Sequence, residues 1–158
     1  MLNRIVLASL VVPLATYLLL PPAVTKLTGK PAPHRWPLLL AGILFAVAWY
    51  LPSPDAQGIP TSNATHFVGG GIFSGLVWLY LKQQIRWRRS IGIDLVVLVA
   101  VVSTLGVGNE LVELGAVKIG LLDLPLTDTS EDLLANTLGA FAFWLVDLIV
   151  LRWFRRGR

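Results

Sequence analysis

Residues 109–140 read N-E-L-V-E-L-G-A-V-K-I-G-L-L-D-L-P-L-T-D-T-S-E-D-L-L-A-N-T-L-G-A, and they decide how the rest of the chain is read. They hold Glu110, Glu113, Asp123, Asp128, Glu131 and Asp132, six of the 9 acidic residues, in a chain that is 55% hydrophobic. They join the end of one long apolar run to the start of another. Carboxylates at membrane depth carry a large desolvation cost, so a cluster of them needs partners, solvent or a task. Mean hydropathy is +0.71, and only 14% of the 158 residues are charged, against about 25% in a soluble domain. The chain therefore reads as all-α, a single polytopic membrane helix bundle with about five transmembrane helices.

Outward from that stretch, the apolar runs place spans at about 4–20, 37–51, 66–81, 91–113 and 132–154. The first run follows M-L-N-R, a start that would also suit a signal peptide, but no small-x-small cleavage site follows it. It reads as a retained membrane helix bent at Pro13, since neighbours in a membrane bundle can satisfy the carbonyl that proline frees. The second run is short, with Pro37 suited to a first helical turn and Trp36, Trp49 and Tyr50 suited to membrane interfaces. The third opens at His66 and contains Gly69, Gly70, Gly71 and Gly75. Gly71 and Gly75 form a G-x-x-x-G, which lets another helix approach closely and is a candidate face for a membrane-protein partner.

Five spans put alternate connections on alternate sides. Lys26, Lys30 and Arg35 share one side with Lys82, Arg86, Arg88 and Arg89 and with Arg152, Arg155, Arg156 and Arg158. The other side receives only Arg4 and Lys118. This asymmetry predicts that the basic side, with the C-terminus, is cytoplasmic and that the N-terminus is outside. The basic clusters are short and flank apolar runs, so nucleic acid is not expected as a partner; membrane lipids are. The chain has no cysteine, which excludes disulfides and thiolate chemistry.

The same topology brings His66, Glu110 and Glu113, and Asp128, Asp132 and Asn136 to one outer membrane depth from three different helices. Glu110 and Glu113 are three apart and share a helix face. Asp128, Asp132 and Asn136 are spaced by four and form one stripe. Together they form a candidate ligand-binding set. His66, Glu113 and Asp132 are the candidates for a divalent metal, because imidazole and carboxylate suit such ions. Each residue also has a plainer reading. Asp128 with Glu131, and Thr129 with Asp132, fit helix capping, and acids suit a helix N-terminus. Glu110 and Glu113 fit a solvated helix end, and His66 an interfacial histidine. Asp94 and Asp147 fall on the basic side and are expected to pair with Arg88, Arg89 or Arg152.

Three pieces of this chain resemble the VanZ-like superfamily of small bacterial membrane proteins, and its YjdF-like branch most of all. They are His66-Phe67 opening a Gly-rich span, the E-x-x-E of Glu110 and Glu113, and the D-T-x-x-D-x-x-x-N-x-x-G-A met by Asp128, Thr129, Asp132, Asn136, Gly139 and Ala140. Ser62-Asn63 stands where the family often has Asp-Lys. The resemblance implies an envelope protein of the bacterial cytoplasmic (inner) membrane and fixes no reaction.

Three functions fit these residues. The first is an outward-facing site that binds a polar group, such as an envelope lipid headgroup. The second is a metal-dependent hydrolase of a lipid or lipid-linked substrate, although no H-E-x-x-H is present. The third is an accessory subunit whose polar cluster fixes helix packing.

Overall fold

The computed structural model describes residues 10–53, 55–56, 59–60, 62–84, 90–120 and 129–156. Among the described residues five helices follow one another in chain order. Helix α1 is Val11–Thr28, α2 is Trp36–Ala48, α4 is Ile91–Lys118 and α5 is Thr129–Arg156. Helix α3 comes in three consecutive pieces: one α-turn Asn63–Thr65, a π-helical segment His66–Ile72 and an α-helix Phe73–Gln84. Between α2 and α3, β1 (Asp55–Ala56) pairs antiparallel with β2 (Ile59–Pro60).

Four of these helices are long and apolar enough to cross a membrane. Helix α2 has 13 residues, about 20 Å at about 1.5 Å per residue, which is less than the roughly 30 Å of a hydrocarbon core. Large apolar side chains on the outer faces, among them Leu19, Val96 and Ile149, are exposed, as lipid-facing positions are in a membrane bundle.

The helix ends differ from the sequence-based spans in instructive ways. Helix α1 does not stop at residue 20; it continues through Pro21 and Pro22 and ends at Gly29, whose φ of 66° and N–H to Thr25 carbonyl close it. Lys26 therefore sits in its last turn, not in a loop. Helix α4 runs on past the acids to Lys118, so Glu110 and Glu113 lie within it instead of ending it. It starts where Ser90 Oγ accepts the Ile93 N–H at 3.4 Å.

Helix α3 is the hub. Its candidate span is half buried, against 17–22% for the other three. On one side Phe73, Leu76, Val77 and Tyr80 pack with Val24 of α1 and Leu38 and Ala41 of α2. On the other side Trp78 packs with Leu98 and Val102 of α4 and Ala140 of α5.

Successive helices alternate in direction. Val24, late in α1, packs with Leu38 and Ala41 in the first half of α2. Thr65 Oγ1, at the start of α3, donates to the Ala48 carbonyl at the end of α2, 3.1 Å away. Helices α3 and α5 run the same way, and α4 runs against both.

The closest approach is between α3 and α5. A Cβ on Gly71 would collide with Gly139 Cα at 2.6 Å, and one on Gly75 would meet the Phe143 ring at 2.5 Å. A Cβ on Gly139 would collide with the Phe67 carbonyl. The Gly71/Gly75 face is thus packed against this chain's own α5. Absent side chains let backbones touch, and dispersion contacts and hydrogen bonds drive helix association in lipid. The wide π turn, uncommon in helices and often found at functional sites, falls on the same residues.

Candidate functional site

The entry to α3 is pinned before it reaches the bundle. Ala64 N–H donates to Ser53 Oγ at 3.1 Å, and Thr65 is tied to α2 as described. This fixes the first turns of α3 and so the direction of Ser62 and His66, one turn apart on the same face.

Both groups meet Asp132 of α5. Ser62 Oγ donates to Asp132 Oδ1 at 2.5 Å, and His66 Nε2 stands 3.3 Å from Asp132 Oδ2. Asp132 is buried, at 3% exposure, and is the sole buried charged residue among those described. Its two oxygens are thereby given different tasks, one held by a neutral hydroxyl and the other turned to an imidazole.

Glu110 of α4 completes the cluster. One ligand-type atom each from His66, Glu110 and Asp132 lies within 4.8 Å of the other two. Glu110 Oε1 is sealed from solvent and has no hydrogen-bond partner among the described residues. A buried unpaired carboxylate oxygen is costly, and native structures seldom leave one without a reason.

Asn136 lies beneath this cluster. It is one turn along α5 from Asp132, at 2% exposure, and its Oδ1 also lacks a partner among the described residues. Two glycines make room for its amide. A Cβ on Gly70 would fall on the Asn136 carboxamide, and one on Gly106 would come within 3.2 Å of Nδ2. Gly70 follows His66 by four residues, and Gly106 precedes Glu110 by four. The site therefore has two layers on the same three helices: His66, Glu110 and Asp132 above, and Gly70, Gly106 and Asn136 below.

The sequence-based set is thus brought together in part. His66, Glu110, Asp132 and Asn136 converge. Glu113 is turned aside, with its Oε1 accepting from Asn109 Nδ2 at 2.7 Å on its own helix, so Glu110 takes the place expected of Glu113 among the metal candidates. The two acids are three residues apart, about 60° out of line on a helix, and one face cannot serve both equally. Asp128 lies outside the described residues.

Sequence reasoning missed Ser62 and the glycine seat of Asn136. The available signal was spacing by four on each helix: Ser62, His66 and Gly70; Gly106 and Glu110; Asp132 and Asn136.

A second polar cluster sits at the opposite end of α3, α4 and α5. Lys82 Nζ is 2.6 Å from Asp147 Oδ2 and 3.6 Å from Asp94 Oδ2, with all three side chains mostly buried. Asp94 and Asp147 were expected to pair with arginines; Lys82 is the cation they meet among the described side chains. Asp94 and Glu110 are separated along α4 by about 24 Å at about 1.5 Å per residue. The two clusters therefore sit toward opposite ends of the bundle formed by α3, α4 and α5.

Chemically, the His66 cluster offers one imidazole, two carboxylates, a hydroxyl and an amide at one end of an apolar bundle. Such a set can hold a cation, or hydrogen-bond a ligand rich in hydroxyl or ammonium groups. No protein-family model matches this chain, and no curated protein or solved structure matches it either.

Proposed function

We propose that this protein is an integral membrane protein whose outward-facing His66, Glu110, Asp132 and Asn136 bind a polar group at the membrane surface. The candidate ligand is an envelope lipid headgroup. One observation carries the reading: the three helices converge on carboxylate and amide oxygens that no group among the described residues satisfies, at Glu110 and Asn136. A network built only to fix packing would be expected to close on itself, as polar networks that are fully satisfied rigidify a core and half-satisfied ones weaken it. This observation favours a binding site over the accessory-subunit reading.

Depth supports a headgroup as ligand. The cluster lies near the end of long apolar helices whose outer faces are exposed, where lipid headgroups meet protein. The orientation, with N-terminus outside and C-terminus cytoplasmic, follows from the lysine and arginine distribution. The bacterial cytoplasmic membrane and the VanZ-like, YjdF-like kinship follow from the motif resemblance.

Native mass spectrometry and thermal melting of the detergent-purified chain with added bacterial lipids test the reading. Wild type should keep bound lipid and gain stability from it, Glu113→Gln should behave like wild type, and Asp132→Asn should fold but lose the gain. Equal lipid stabilisation of all three would contradict it. The absence of native cysteine makes orientation simple to test, with a single cysteine introduced at the C-terminus and a membrane-impermeant maleimide. Labelling from the outside of intact cells would reverse the assigned topology.

A further inference from the structure

The two polar clusters share a plan. Each takes one nitrogen-bearing side chain from α3, one carboxylate from α4 and one from α5. At one end these are Lys82, Asp94 and Asp147; at the other they are His66, Glu110 and Asp132. Lysine carries a full charge to its two carboxylates. An imidazole does so only when protonated, so the His66 end holds two carboxylates with less positive charge between them.

We infer that the His66 end is completed by a divalent cation of the kind that accepts nitrogen and oxygen ligands, Zn²⁺ or Mn²⁺, bound by His66 Nε2, Glu110 and Asp132. The inference rests on the binding-site reading above and names what that site takes first.

Four observations converge on it. His66 Nε2 and Asp132 Oδ2 stand 3.3 Å apart, close to the ~3.3 Å separating two ligands held ~2.0–2.1 Å from a tetrahedral ion. Glu110 supplies a third donor within 4.8 Å of both, so closure on an ion needs a side-chain adjustment of about an ångström. Glu110 Oε1 is buried with no hydrogen-bond donor among the described residues; a cation would satisfy it. Ser62 holds Asp132 by its other oxygen, the outer hydrogen bond that commonly orients a ligating carboxylate.

Three protein ligands leave positions open on the ion. An ion at this site cancels the charge of the two carboxylates and lets an acidic site receive a phosphate-bearing headgroup, which two bare carboxylates would repel. It also holds water, the requirement of the hydrolase reading.

The test uses the full chain in detergent, stripped with chelator and then titrated with ZnCl₂ or MnCl₂. The readouts are metal content and melting temperature for wild type, His66→Gln, Glu110→Gln and, as control, Glu113→Gln. Wild type and Glu113→Gln should bind one ion per chain and melt higher with it. His66→Gln and Glu110→Gln should bind at least tenfold more weakly. The inference is overturned if stripped wild type takes up less than one ion per chain and its melting temperature does not rise, a result readable from wild type even if a variant folds poorly. Lipid stabilisation measured in chelator separates the two levels. If lipid still stabilises the stripped protein while no ion binds, the cation is excluded and the headgroup reading stands. If the ion binds and no phospholipid responds, the cation stands and the headgroup reading falls.

Discussion

The two ends of α3, α4 and α5 are built from the same pieces and come out differently. At one end Lys82 reaches Asp147 at 2.6 Å and Asp94 at 3.6 Å, and the charge of one carboxylate is fully met and the other partly met. At the other end His66 reaches Asp132 at 3.3 Å, while Glu110 keeps a buried oxygen with no partner among the described residues. The first end is a clamp: ion pairs that tie three helices together. The second end is held in place by Ser62 and floored by Asn136, but its charges are left unbalanced. The ends differ on α3, lysine against histidine, and on α4, aspartate against glutamate; on the proposed reading the α3 side chain separates a closed structural contact from a ligand site.

The largest expected effect breaks the clamp. Lys82→Met leaves Asp94 and Asp147 without a cation among the described side chains. Removing one partner of a buried pair destabilises by about 3 kcal/mol or more. Denaturation in mixed detergent should show that loss, and Asp94→Asn with Asp147→Asn in the Lys82→Met background should recover most of it. No loss in Lys82→Met would show that the clamp holds nothing.

Next comes the tight seam beside the His66 end. Gly139→Val places methyl groups where the Phe67 carbonyl lies, and overpacking of this kind costs roughly 1–3 kcal/mol. Because Phe67 adjoins His66, the change should also weaken ion uptake, measured by titration, while Lys82→Met should leave ion affinity within about threefold where the protein folds.

A smaller and sharper effect comes from copying one end onto the other. His66→Lys brings the clamp's α3 cation to the His66 end. In chelator the variant should melt higher than wild type, by roughly 1 kcal/mol of added stability, and it should no longer respond to ZnCl₂ or MnCl₂. A variant that still gains stability from the ion would show that α3's nitrogen does not decide the difference between the ends. The smallest effect is expected at Glu113→Gln, within about 0.5 kcal/mol of wild type, because Asn109 can donate to an amide oxygen as it does to the carboxylate.

Much of this architecture was legible in the sequence. Hydropathy and the placement of basic residues give helices and their alternation, because burying apolar length in lipid leaves few other structures. The convergence of His66, Asp132 and Asn136 followed from alternation alone. What escaped was angular. Glu110 and Glu113 share a broad face, and sequence spacing cannot say which of them turns inward; the position of α4 against α3 and α5 decides it. Lys82 was hidden for a related reason. It stands in a basic run with Arg86, Arg88 and Arg89, and composition reads such a run as a topology signal, not as one inward cation among outward ones. The extent of α1 was misjudged because Pro21-Pro22 reads as a stop, whereas the helix passes through both to Gly29. The G-x-x-x-G marks a close-packing face, and here α5 of the same chain lies against it; a motif for backbone approach does not say whose backbone approaches.

The most direct measurement of the central claim is electron spin echo envelope modulation on the full chain loaded with Mn²⁺ in detergent. The chain has only 2 histidines, His66 and His34, so a directly coordinated imidazole nitrogen can be assigned by substitution. The account predicts one bound Mn²⁺ with nitrogen modulation that disappears in His66→Gln and persists in His34→Gln. Mn²⁺ that fails to bind, or modulation that survives His66→Gln, would contradict it.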